Sequence, residues 1–255
     1  MLAELGFVVV AGLKFGALYA LAAGRFERAL AHYDKMRELP EASLTTQRNR
    51  LAIRLGHAAA ALGANQPEKT LVDLGAVQQL LDAPDAAAAL IRPHASPSDV
   101  LRNYRIIISG LEANALRQLG RAVEASRALE RQRELLVALW KESDRDEDLR
   151  AVTLVEIQLT GNALDRGDRE AAARWAAASL EHASAFGART QTPLPQEERD
   201  GLWLAASLEA FHGIRVGDAL PARLKNALSE LARRPGKSER SEGYWLEICL
   251  ALMTL

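Results

Sequence analysis

Gly24 to Met36 reads GRFERALAHYDKM, and its spacing decides the fold. Phe26, Ala29 and Tyr33 recur at intervals of three and four, which places them on one face of an α-helix with a glycine immediately before it. A small alanine between two large rings makes a notch that a neighbouring helix enters, the rings filling the space on either side. A single helix cannot bury that face alone, so the stretch predicts further helices stacked against it.

The rest of the chain agrees. Of its 255 residues 49% are hydrophobic, enough for a continuous core. Alanine, leucine, glutamate and arginine dominate, β-branched residues are few, and no window alternates with period two for long, so the chain reads as all-α. Breaks fall at Pro40, at Asn65-Gln66-Pro67, and in the polar links 92–99, 141–148, 187–196 and 233–239. Ser96-Pro97-Ser98-Asp99, Pro67-Glu68 and Pro195 with Glu198 carry the proline-then-acid pattern of helix starts. Helices are predicted at about 2–23, 25–38, 44–62, 66–82, 97–119, 121–140, 146–166, 168–186, 196–214, 219–234 and 240–254, with a short turn over 84–91.

Aligning the joins exposes an internal pattern. YALAAGRFERALAHYDKM, ANALRQLGRAVEASRALERQ and GNALDRGDREAAARWAAAS share a turn glycine (Gly24, Gly120, Gly167) and an alanine five residues later (Ala29, Ala125, Ala172). The second pair, RLGHAAAALGANQPEK, keeps Leu55-Gly56 and takes Gly63 as its turn glycine, but carries an insertion that leaves the alanine without an equivalent.

On these residues the chain resembles the tetratricopeptide family, whose units are antiparallel helix pairs with an apolar-glycine step in the first helix, a turn glycine, then an aromatic and an alanine in the second. Gly24, Phe26, Ala29 and Tyr33 match that second half, as do Gly120, Ala125 and Leu129, and Gly167, Ala172 and Trp175; Pro40 matches the terminal proline. The glycine spacings, 39 from Gly24 to Gly63 and 47 from Gly120 to Gly167, exceed the family's usual repeat of about 34. They are similar to long-helix variants found in bacterial regulatory and peptide-sensing proteins. The resemblance implies one domain over 1–255, a right-handed superhelix (α-solenoid) of about five antiparallel pairs at about 1–40, 44–83, 97–140, 146–186 and 196–234, closed by a final helix at 240–254. It also implies a concave groove lined by the first helices, receiving Lys14, Arg50, His57, Asn114, Arg117, Gln118 and Asp165. Asparagine there grips a peptide backbone by donating and accepting together, and arginine takes carboxylates through paired bonds. The implied partner is a peptide segment or another protein.

Other chemistry is weakly signalled. Lys plus Arg number 32 against 33 for Asp plus Glu, a net charge of -1, which gives no general attraction to nucleic acid or to an anionic membrane. The lone cysteine, Cys249, excludes an internal disulfide and fits a reducing cytoplasm. Gly236-Lys237-Ser238 mimics the tail of a phosphate-binding loop, yet Leu231 stands where its first glycine belongs. Glu209 and His212 have the spacing of a helical metal pair with no second pair to complete it, so neither metal nor cofactor is expected. Arg50 and His57 loosely resemble the arginine–histidine motif of helical RNA-cleaving domains of the HEPN type, which makes a bundle enzyme the alternative class. A sensor of a small ligand or signalling peptide lies between the two. The segment 7–24 approaches membrane-spanning length, but Lys14 at its centre opposes insertion. Tyr244, Trp245 and Leu252 belong to a last helix apolar almost all round, so the ends are expected to meet a copy of the chain, a partner or a continuation.

Overall fold

The computed structural model describes residues 13–14, 16–39, 47–83 and 97–190. The expected helices at 196–214, 219–234 and 240–254, the turn over 84–91, and the motifs at Glu209/His212 and Gly236–Ser238 lie outside the described residues. Within them every regular element is helical: α1 (described at 13–14 and 16–22), α2 (Phe26–Arg37), α3 (Gln47–Gly63), α4 (Pro67–Leu81), α5 (Pro97–Gln118), α6 (Ala122–Ser143), α7 (Asp146–Asp165) and α8 (Arg169–Thr190). Proline opens α4 and α5 as expected, where its missing N–H has no helical partner to lose. Helix α8 runs on to Thr190, past the expected end at 186. The chain divides into two compact units, Met1–Leu135 and Leu136–Leu255, the boundary falling within the sequence of α6.

Four reversals share one construction. Gly24, Gly120 and Gly167 hold φ of +66°, +70° and +70°, a left-handed conformation in which a Cβ clashes with the following carbonyl. At the first, the Arg25 amide donates to the Ala20 carbonyl at 2.8 Å and the Gly24 amide to that of Leu21 at 3.0 Å, which satisfies the last carbonyls of α1. The Arg25 carbonyl then accepts from the Ala29 amide at 3.0 Å and α2 begins. Arg121 to Leu116 (2.9 Å) with Ala125 to Arg121 (3.0 Å), and Asp168 to Ala163 (2.9 Å) with Ala172 to Asp168 (3.0 Å), repeat the pattern.

The fourth reversal corrects the sequence reading. Gly63 is the last residue of α3, and the left-handed residue is Asn65, φ +57°, 41 residues after Gly24. Asparagine tolerates that region better than most side chains. Gln66 donates to the Ala61 carbonyl at 2.8 Å, and Thr70 donates to Gln66 at 3.2 Å. Counted from Asn65, the position five residues on is Thr70, so the unit does have its equivalent of Ala29, Ala125 and Ala172. All four side chains are fully buried. Threonine is tolerated there because its hydroxyl donates to the Ala58 carbonyl on α3 at 3.1 Å.

In the first unit α3 is shared between two apolar layers. One gathers Ala17 and Ala20 of α1, Ala29, Leu30, Tyr33 and Met36 of α2, and Ile53, Ala60 and Ala61 of α3. The other joins Leu51 and Ala58 of α3 to Leu74, Val77 and Leu81 of α4 and Ile108 of α5. The two rings of the opening stretch find their seats here. A Cβ on Gly56 would fall 2.3 Å from the Tyr33 ring, and one on Gly63 would fall 2.3 Å from that of Phe26. The rings, seven residues apart on α2, thus sit on two glycines seven apart on α3, running in opposite directions. Burial pushes the Tyr33 phenol above its ordinary range. Between α5 and α6, Arg131 donates to Glu112 at 2.8 Å and Gln132 packs over Gly110.

The second unit closes on alanine. Ala163 of α7 meets Ala171 and Ala172 of α8, flanked by Leu164 and Trp175. Arg189, at the end of α8, reaches back to the Asp144 carbonyl and carboxylate at 2.8 and 2.9 Å and to Asp146 at 2.8 Å, tying down the turn between α6 and α7.

Helical glycines therefore separate into seats and empty positions, which alanine distinguishes. Gly75 and Gly161 have nothing within 4 Å of a built Cβ. Gly75→Ala and Gly161→Ala should each stabilise by about 0.5–1 kcal/mol through helix propensity, whereas Gly56→Ala, forced against the Tyr33 ring, should destabilise by about 1–3 kcal/mol. Urea melts of the three variants check both signs. The buried position five residues after each reversal makes a parallel forecast: Thr70→Leu, Ala125→Leu and Ala172→Leu should each cost about 1–3 kcal/mol by overpacking, and thermal melts that match the parent at all three would show the register to be wrong.

Candidate functional site

The first unit holds its charged groups together at one place. Arg54 and His57 lie one turn apart on α3, Asp34 and Arg37 one turn apart on α2, and Asp73 on the buried stripe of α4 with Thr70, Leu74 and Val77. His57 is only 3% exposed and Asp73 2%. The His57 Nδ1 bonds to Asp73 Oδ2, and its Nε2 lies 3.1 Å from Asp34 Oδ1. The other Asp73 oxygen faces two guanidiniums, Arg37 at 3.3 Å and Arg54 at 3.7 Å. One imidazole thus connects α2, α3 and α4. A buried carboxylate is tolerated because it has a hydrogen bond and opposite charges around it.

The second unit contains a smaller relative of this arrangement. Glu156 is fully buried on α7, and His182 of α8 meets its Oε2 through Nδ1 at 2.8 Å. The His182 ring packs edge-on to Trp140 of α6, with centroids 5.5 Å apart and planes at 83°. Again one histidine connects three helices. Among the described residues no group of three or more His, Cys, Asp or Glu is arranged to hold a metal ion, and no helix is long and apolar enough to cross a membrane.

Each residue assigned to the groove has a definite place. Lys14 is half-buried on α1, Arg50 exposed on α3, Asn114 half-buried and Arg117 exposed on α5. Gln118, exposed at the end of α5, donates to the Leu62 carbonyl near the end of α3 at 3.4 Å. Asp165 is exposed at the end of α7 in the second unit. His57 departs from expectation: it turns into the unit rather than toward solvent, because Asp34 and Asp73 claim both ring nitrogens. Tyr244, Trp245 and Leu252 lie outside the described residues.

Sequence reasoning passed over the two aspartates that fix His57. A signal was available for Asp73, an acid three residues after Thr70 and four before Val77, hence on an apolar face where a lone carboxylate needs a partner. Asp34 carried no such mark, being more than half exposed.

Comparison with known proteins returns no match: no family model, no curated protein and no solved structure corresponds to this chain.

Burial sorts the candidates by consequence. His57→Ala should cost about 3 kcal/mol, because it strips a buried carboxylate of its hydrogen-bond partner, whereas Arg50→Ala and Arg117→Ala, at exposed positions, should stay within about 0.5 kcal/mol of the parent. Chemical denaturation of the three variants checks the contrast.

Proposed function

We propose that the chain is a tetratricopeptide-like repeat protein, wound as a right-handed superhelix of helix pairs, and that it acts without chemistry of its own as an interaction or regulatory module. The supporting observation is the fourfold recurrence of one reversal: a left-handed residue, a bond from the next amide back to the helix just ended, and a fully buried small side chain five residues on. Recurring helix pairs leave long surfaces of first-helix side chains, and such surfaces are suited to extended peptides or a partner's helix. In this reading Lys14, Arg50, Asn114, Arg117 and Gln118 supply polar contacts from the first unit and Asp165 from the second, while His57 acts inside the fold as a fastener. A place in the cytoplasm belongs to the same reading. The enclosure of His57 between two carboxylates favours it over the RNA-cleaving alternative, which needs that ring at a phosphate.

A peptide array probed with the purified chain, followed by fluorescence anisotropy on the peptides retained, tests the reading. Arg50→Ala, Asn114→Ala and Arg117→Ala should each weaken binding about tenfold, the equivalent of about 1.4 kcal/mol, with unchanged melting for the two arginine variants. Peptide affinities untouched by all three would remove the groove. Cleavage of a generic RNA by the parent that vanishes in Arg50→Ala would replace the reading with an enzyme.

A further inference from the structure

We infer that the chain associates head to tail with a second copy of itself, the outward face of α1 on one copy docking against the outward face of α4 on the next. Leu18 and Tyr19 of α1 are 49% and 69% exposed, and Val72 of α4 is 71% exposed. Large apolar groups held together in water mark a surface that a contact covers. Helix α1 is built inside out: its small residues Ala17 and Ala20 are buried in the layer shared with α2 and α3, while its large ones face solvent. Shape agrees with a contact on α4. Within the first unit large side chains of one helix rest on glycines of another, Tyr33 on Gly56, Phe26 on Gly63 and His32 on Gly16. Gly75 of α4 is exposed and has nothing within 4 Å of a built Cβ, so it is a seat of the same kind that opens outward beside Val72. The Leu18–Tyr19 pair of the neighbouring copy fills it.

Charge selects the occupant. Half-buried Lys14 stands four residues before Leu18 and shares its face, and Arg25 is exposed just past the turn, at the N-cap of α2. Among the described residues α1 carries no acid. On α4 the exposed stripe is Glu68, Val72, Gly75, Gln79 and the C-cap Asp82, recurring at intervals of three and four and acidic at both ends, with Gly75 midway. Lys69 lies off this line, about a hundred degrees round the helix from Glu68. Asp82 accepts from Gln78 and has Arg105 at 3.6 Å, yet its side chain remains more than half exposed and open to a further cation. Two α1 faces brought together would set Lys14 and Arg25 against their own copies, and two α4 faces would do the same with Glu68 and Asp82. Apposing α1 to α4 lays basic ends on acidic ends, so each face complements the other and not itself. The contact is therefore heterologous, and each copy offers one face to each neighbour. It uses neither His57 nor the proposed groove residues of α3 and α5, and stands whether or not the chain binds peptides.

Sedimentation velocity of the full chain over a concentration series tests it. The parent should form dimers and larger species whose share grows with concentration, and high salt should shift them toward single chains. Leu18→Lys with Tyr19→Lys spoils the α1 face, and Val72→Lys spoils the α4 face. Each variant should keep the parent's circular dichroism and sediment as a monomer. Mixed in equal amounts, they bring one intact face of each kind and should form dimers and nothing larger. Glu68→Lys, a single change at an exposed position, should weaken parent association about tenfold and serves where the α1 variant fails to fold. A parent that stays monomeric at high concentration would overturn the inference. So would association that survives Val72→Lys or ignores Glu68→Lys, or a mixture of two folded variants that stays monomeric or grows past two chains.

Discussion

Reversal of the chain through a single left-handed residue is the constraint on which the described structure depends. A helix that ends this way has its last carbonyls satisfied by the next amides, and the following helix starts at once with its first carbonyl already bonded. The join then leaves little freedom in where the second helix lies. At the turns of Gly24, Asn65, Gly120 and Gly167 the fifth residue after the left-handed one is fully buried and small. Glycine at three of the turns and asparagine at the fourth are the residues this backbone selects. Alanine at three of the landing positions and threonine at the fourth are those the close approach selects.

Packing between pairs is a separate matter. In the first unit it is settled by volume matched to absence of volume, the rings of Phe26 and Tyr33 occupying the places where Gly63 and Gly56 have no side chain. The polar fastening by His57 is added across the same helices and extends to α4. Shape thus sets the seating of α2 on α3, and charge fixes it, because an enclosed Asp73 without its imidazole and guanidinium partners would cost more than the contact gives back. Glu156, His182 and Trp140 apply a similar device in the second unit.

Much of this was legible in the sequence, for reasons that differ from residue to residue. Helix positions followed from periodicity and from proline and glycine punctuation, and the three glycine turns followed because glycine is the usual residue at a left-handed cap. The fourth turn was misplaced at Gly63 because Asn65 fills the same role without announcing it. The misplacement hid Thr70, whose hydroxyl disguises a buried position until its acceptor on Ala58 is seen. His57 was read as a surface group because its spacing matched a groove side chain; the carboxylates that enclose it lie 23 and 16 residues away in the chain, and separations of that size leave no local pattern. For the residues proposed to line a groove, exposure is what the sequence conveys for Arg50 and Arg117 and conveys poorly for half-buried Asn114.

The left-handed conformation at residue 65 is the most exposed point of this account, since it alone converts an irregular second pair into a fourth copy of the same reversal. The free energy of unfolding of Asn65→Gly, set beside that of Asn65→Val, measures it directly. A left-handed residue 65 predicts that the glycine variant is at least as stable as the parent and that the β-branched variant loses about 1–2 kcal/mol. A glycine variant less stable than the parent, with valine tolerated, would mean an ordinary right-handed backbone at that position and would contradict the common construction of the four turns.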